Sequence, residues 1–162
     1  MPHAVPGGRK LQNGDIVVID FGCVVNGYRS DMTRTIALGG VTAKQREVYN
    51  LVLEAQLAGV SAVKAGRDGR EIDGTARAVI DAGGHGERFG HGLGHGVGLE
   101  VHEAPRLSQR SEDTVAAGNV VTVEPGVYLP GEFGVRIEDL LVVGEDGSEI
   151  LTEIGKDLIV TD

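Results

Sequence analysis

The sequence predicts an α+β fold, and three observations carry that expectation. A Val/Ile-rich block of strand character surrounds Asn26–Gly27, helical spacing takes over after Thr42, and strand-like runs return beyond the second helix. With 162 residues, the chain is expected to form a single domain over 1–162, large enough for a hydrophobic core. That core must be built from Val, Leu, Ile and Ala, because apolar residues make up 41% and aromatics only 4%.

Residues 1–14, MPHAVPGGRKLQNG, are rich in turn formers. DIVVIDFGCVV then reads as a strand apolar on both faces, and Asn26–Gly27 is a strong hairpin signal. YRSDMTRTIAL is the return strand, ending at Gly39–Gly40. A helix follows, capped at Thr42, with Val48, Leu51, Val52, Ala55, Ala58 and Val63 on its apolar face and a stop at Gly66. The second helix, REIDGTARAVIDAGG, is expected to be capped by Asp68, with Glu71 completing a capping box. Gly74 inside it costs about 1 kcal/mol relative to Ala. GNVVTVEPGVYL, GVRIEDLLVVGEDG and LTEI are read as the later strands. Two strand pairs, each with facing acidic residues, suggest a structural duplication.

The formal charge of −9 argues against nucleic acid or an anionic membrane as partner, since both would repel the chain. Carboxylates that hold divalent cations would cancel part of that charge. The one cysteine, Cys23, excludes an internal disulfide and fits a reducing, cytoplasmic setting. It is expected to be a small buried hydrophobe. MPHAVPGG lacks the apolar core of a signal peptide, and the runs IVVI and DLLVV are strand-sized, far short of a membrane span.

The acidic residues carry the first chemical signal. With Asn26 and Gly27 as the loop, Asp20 stands opposite Thr33, and Asp31 shares that face. The two carboxylates become diagonal neighbours, roughly 7–8 Å apart at Cα. A turn centred on Gly131 likewise sets Glu124 opposite Glu138, with Pro125 ending the first strand and leaving Glu124 at its end. The flanks VVID-F, TVEP and RIEDLLV are apolar, as for a sheet covered on both faces, so each acid needs a partner. Arg136 can pair with one of four; two divalent cations could neutralise the set. Oxygen-rich ligation with one histidine suits Mn²⁺, Zn²⁺, Co²⁺ or Fe²⁺.

Three of the five histidines, His91, His95 and His102, lie within GHGLGHGVGLEVHE. Glycine at every second position excludes a helix, so the segment is extended, with glycines that let the backbone approach a cluster closely. His91 and His95 then share a face, while His102, at an odd offset from His95, requires a bend between them. One histidine need bind metal; the others suit oxyanion stabilisation or proton transfer. A hydrolytic metal site is the reading these residues support, with the substrate left open.

The D-x10-D spacing, HGLGHGVGLEVHE, VEPGVY and RIED together resemble the catalytic domain of the pita-bread metallopeptidases, from His3 to about Leu158. The resemblance is strongest to the Xaa-Pro branch of aminopeptidase P and prolidase. It implies a curved, mostly antiparallel sheet covered by helices, and two divalent metal ions per chain with Mn²⁺ favoured. Asp20, Asp31, His95, Glu124 and Glu138 match the metal-ligand positions, Asp31 and Glu138 as bridges. His3, His91 and His102 match residues that face the substrate or the reacting carbonyl, and Arg136 matches an arginine that braces the acids. Glu124 is the carboxylate implied to pass on the proton of a metal-activated water during hydrolysis of the bond preceding proline.

The family pattern carries a further stretch before the equivalent of His3, so the catalytic domain is expected to lack its N-terminal part. Apolar surface on the first hairpin is then left bare. Two alternatives follow: a truncated metal-binding fragment that is catalytically incompetent or works only with a partner, either a homodimer or a chain supplying the missing half, and a creatinase-like amidinohydrolase. Creatinase-like relatives lack the full metal set, whereas all five positions are filled here.

Overall fold

The computed structural model describes residues 3–161. The first strand pair is β1 (Ile16–Phe21) against β4 (Met32–Leu38), with the short strands β2 (Val24–Val25) and β3 (Tyr28–Arg29) at the hairpin tip. Asn26 and Gly27 both take positive φ, 52° and 86°, as a two-residue loop between right-twisted strands requires. The register follows from that loop, and Asp20 pairs with Thr33 as expected.

Helix α1 (Ala43–Ala62) starts at Thr42, which forms a full capping box: its side chain accepts from Gln45 N–H at 3.2 Å, and Gln45 Oε1 accepts from Thr42 N–H at 2.8 Å. Helix α2 (Gly69–Ala82) is capped by Asp68, which accepts from Arg70 N–H. The box expected with Glu71 does not form there. Glu71 turns instead to Arg67, at 3.3 Å on the preceding turn. Gly74 is exposed within an unbroken helix.

The second half comprises β5 (Gly94–Gly96), β6 (Glu103–Leu107), β7 (Val120–Val123), β8 (Gly126–Leu129), β9 (Phe133–Arg136), β10 (Asp139–Val143) and β11 (Ser148–Ile150). β7 and β8 are one strand interrupted at Glu124–Pro125, and β9 and β10 are one interrupted at Ile137–Glu138. Val123 pairs with Asp139 and Gly126 with Arg136, so the register centres on Gly131 and sets Glu124 against Glu138. An isolated bridge between Thr33 and Glu138 joins the two strand pairs. Asp20, Thr33, Glu138 and Glu124 therefore lie in one row across four antiparallel segments.

Two further expectations fail, and one strand is unannounced. LTEI is not a strand; residues 151–154 run irregularly after β11. A final strand, β12 (Ile159–Thr161), pairs in parallel with β4. Cys23 is exposed rather than buried, with Sγ 3.3 Å from Ser30 Oγ, near a hairpin tip whose Val24, Val25 and Tyr28 are exposed too.

Cover over the sheet is uneven, contrary to the expectation of two covered faces. Val121, Val123 and Leu141 are fully buried beneath the helices. The fit is close enough that a Cβ on Gly59 of α1 would meet Val123 Cγ1 at 2.9 Å. On β1, Ile19 is 39% and Phe21 50% exposed, and Val24, Val25 and Tyr28 are exposed around the hairpin tip. This is the bare apolar surface expected of the first hairpin. No helix among the described residues is long and apolar enough to cross a membrane.

Candidate metal centre

The row of paired residues delivers acids to one place. Donor atoms of Asp31, His95 and Glu138 all lie within 4.8 Å of one another. His95 Nε2 stands 3.2 Å from Glu124 Oε1 and 3.8 Å from Asp31 Oδ2. Asp20 borders the group from the opposite strand, half exposed and ion-paired to Arg136. Four of the five residues matched to ligand positions thus converge directly, and the fifth is held beside them through Arg136.

His95 is oriented by its backbone. Its Nδ1 is 3.0 Å from the carbonyl of Gly96, which can only accept, so the proton sits on Nδ1 and the Nε2 lone pair points at the carboxylates. Two acidic oxygens facing a lone pair repel unless a proton or a cation lies between them. Burial pulls the His95 pKa down, but Glu124, the Gly96 carbonyl and Asp31 outweigh it and raise the value overall.

The carboxylates show the same frustration. Burial, then the charges of Asp20 and Glu124, push Asp31 up to about 6, although His95 opposes the rise. Burial and the charges of Glu124 and Asp31 hold Glu138 well above the usual carboxylate range. Glu138 Oε2 accepts from Thr33 Oγ1 at 2.6 Å, while its buried Oε1 has no hydrogen-bond partner. For Glu124, burial acts upward, but hydrogen bonding and charge from His95, with His91 and Arg136, bring the carboxyl below its ordinary value. An orphaned buried carboxylate oxygen, crowded acids and an imidazole lone pair form a donor set that fits a divalent cation.

Arg136 braces this group. It donates to Asp20, to Thr33 Oγ1 at 3.1 Å and to Tyr128 Oη at 2.9 Å, and its Nε lies 3.9 Å from Glu124. His91 Nε2 reaches the same Tyr128 hydroxyl at 3.2 Å. His102 packs against His95 with ring centroids 4.3 Å apart and planes tilted by 58°, brought there by the bend over residues 98–102. Burial, then the charge of His95, lowers the His102 pKa. His3, exposed, lines a cavity of about 710 Å³ with Asp20, Tyr128 and Arg136.

Several contributors escaped the sequence analysis. Tyr128 stands in the quoted VEPGVY, and its hydroxyl links His91 to Arg136. On α2, Arg77 pairs with Asp73 and donates to the carbonyls of Phe89 and His91, while Asp73 accepts from Leu93 N–H at 3.0 Å. The helix thereby grips the loop that carries His91. An Asp and an Arg four apart on a helix are too common a pattern to announce that role. The glycines also set the spacing between strands. A Cβ on Gly94 would strike the Thr122 carbonyl of β7, and one on Gly96 the Ala104 carbonyl of β6. They admit neighbouring strands to β5 on either side of His95.

Known proteins share this fold. A Xaa-Pro dipeptidase of Pyrococcus furiosus is 48% identical over 159 residues, covering 98% of this chain and 46% of its own length. The structure of a Xaa-Pro dipeptidase from Bacillus anthracis superposes with a TM-score of 0.97 at 51% identity, covering 99% of this chain and 45% of that one. An X-Pro aminopeptidase from Thermotoga maritima gives 0.96 at 44% identity, with 99% and 45% covered. The chain therefore spans under half the length of these relatives, and the expected pita-bread fold is borne out. The model of metallopeptidase family M24 matches residues 1–145, and this chain belongs to that family.

Proposed function

We propose that residues 1–162 form a single metal-binding catalytic domain that hydrolyses the peptide bond preceding proline, using two divalent ions. The observation that carries this is the convergence of donor atoms of Asp31, His95 and Glu138 within 4.8 Å of one another, beside a buried Glu138 oxygen without a hydrogen-bond partner. Substrate class rests on the relatives named Xaa-Pro dipeptidase and X-Pro aminopeptidase. Asp20, Asp31, His95, Glu124 and Glu138 would hold the ions, Mn²⁺ by preference. Such ions polarise a scissile carbonyl and lower the pKa of an attacking water.

The chain's own residues supply the rest. Glu124, 3.2 Å from His95 Nε2, would take the proton and pass it on, the role the family resemblance implies. His91, half-buried against Tyr128, and His102, beside His95, are the imidazoles that would face the substrate carbonyl. His3 lines the cavity that a peptide would enter. Arg136 holds Asp20 and Glu124 apart and oriented. A reducing, cytoplasmic setting completes the proposal, on the evidence of the single free cysteine.

The bare face of the first strand pair favours a second reading, in which activity needs a homodimer or a chain supplying further elements. Metal titration of the purified chain, run beside hydrolysis of Xaa-Pro dipeptides and longer Xaa-Pro peptides with Mn²⁺ or Co²⁺, separates the readings. Two ions bound and proline-specific hydrolysis, both lost in Asp31→Ala, are expected. Ions bound without hydrolysis would support the partner-dependent reading; two ions per chain would exclude the creatinase-like one.

A further inference from the structure

The bridge between Thr33 and Glu138 is the seam at which the first strand pair meets the second. Glu138 N–H donates across it to Thr33 O at 3.1 Å. Strand alternation sends the next residue of each partner to the opposite side of the sheet. Thr33 and Glu138 meet on the acid-cluster side, through the 2.6 Å bond from Thr33 Oγ1. Behind them, Arg34 and Asp139 form a buried ion pair at 2.7 Å. The seam is bolted on both faces.

The rear pair is fully satisfied. Asp139 Oδ2 accepts from Lys156 Nζ at 2.6 Å and from Gln56 Nε2 at 2.8 Å. The Arg34 guanidinium also donates to the carbonyls of Thr33, Glu138, Ile154 and Gly155. Two of those carbonyls belong to the residues that present side chains on the opposite face. A planar, fixed fork of donors sets the spacing of what it holds in a way a flexible ammonium does not.

The candidate ligands come from both sides of this seam. Asp20 and Asp31 lie on the first hairpin, and His95, Glu124 and Glu138 on the second half. We infer that Arg34 and Asp139, tethered by Lys156 and Gln56, are positioning residues that set the separation of the two ligand groups. Through it they set the affinity of the centre for divalent cations. The inference rests on the metal-centre reading proposed above. Ligand atoms must converge to within a few tenths of an ångström, so a small shift of Glu138 is felt in binding. Loss of outer-shell partners typically weakens a site by about 10–100-fold.

The test is calorimetric titration of the full chain with Mn²⁺ and, separately, Co²⁺, with thermal unfolding of each metal-free variant alongside. Asp139→Asn is expected to weaken Mn²⁺ binding by about tenfold or more. Lys156→Met, at the more exposed end of the cluster, is expected to weaken it several-fold, and Lys156→Arg to restore it. Lys156→Met keeps the test decisive if Asp139→Asn does not fold. Lys44→Ala, which removes a surface pair with Glu132, should bind as wild type does. Folded Lys156→Met or Asp139→Asn with wild-type affinity, losing only thermal stability, would overturn the inference. Failure of the wild-type chain to bind either ion would instead strike the metal-centre reading, and the inference with it.

Discussion

The two strand pairs use the same construction and meet different surroundings. In each, a tight turn sets a register that places acidic residues across from one another or diagonally, and a bridge merges the pairs into one surface. Over the second pair, α1 and α2 seal the rear face, so Val121, Val123 and Leu141 are fully buried. Over the first, Ile19 and Phe21 remain open. The acids follow suit: Glu138 is buried with an unsatisfied oxygen, whereas the Asp20 side chain is 45% exposed and neutralised by Arg136. Burial, more than sequence, makes one carboxylate an unfilled ligand and the other a partner in an ion pair.

Matched truncations give the largest effect. Leu141→Ala should cost about 2–5 kcal/mol as a cavity opens under the helices, while Ile19→Ala should cost under about 1 kcal/mol. Urea unfolding of both variants checks this, and equal losses would show that the first pair is sealed in solution.

The acids give the next effect. In metal-free protein, the folded Asp31 carboxyl titrates near 6, above its ordinary value of 3.8. Its stabilising contribution is complete below the unfolded value and disappears as pH rises through 6, and the raised Glu138 acts in the same sense. Stability of the metal-free chain should therefore fall by up to about 3 kcal/mol from Asp31 between pH 4 and pH 7. Thermal melts in chelator should show that decline, and saturating Mn²⁺ should flatten it; a rise instead would contradict the crowding described for these carboxylates.

The smallest change in stability is expected of Phe21→Ser, within about 0.5 kcal/mol. Its effect should appear in sedimentation velocity as weaker concentration-dependent self-association. Unchanged sedimentation would mean that the open apolar surface does not bind itself.

Local chemistry was legible in the sequence, and distant chemistry was not. Asn26–Gly27 and the turn around Gly131 set both registers, because a tight turn fixes every pair along its strands. Thr42 announced its helix. Asp20, Asp31, Glu124 and Glu138 were brought near one another by those registers, whereas their roles as ligands came from resemblance. β12 carries no such signal: Ile159, Val160 and Thr161 pair in parallel with a strand more than a hundred residues earlier. Arg34 and Asp139 are likewise far apart in sequence, and nothing near either names the other. Cys23 was misplaced because apolar neighbours in sequence do not guarantee cover in space.

The strand that delivers His95 is only three residues long, and both of its other residues are glycine. The space a methyl group would need at Gly94 is taken by a carbonyl of one neighbouring strand, and at Gly96 by a carbonyl of the other. The strand acts as a shim whose thickness is fixed by missing carbons. Adding one would pry β7 or β6 away and tilt the imidazole out of line without touching a candidate ligand carboxylate. Tolerance to change is therefore narrow at two positions that contribute no functional group at all.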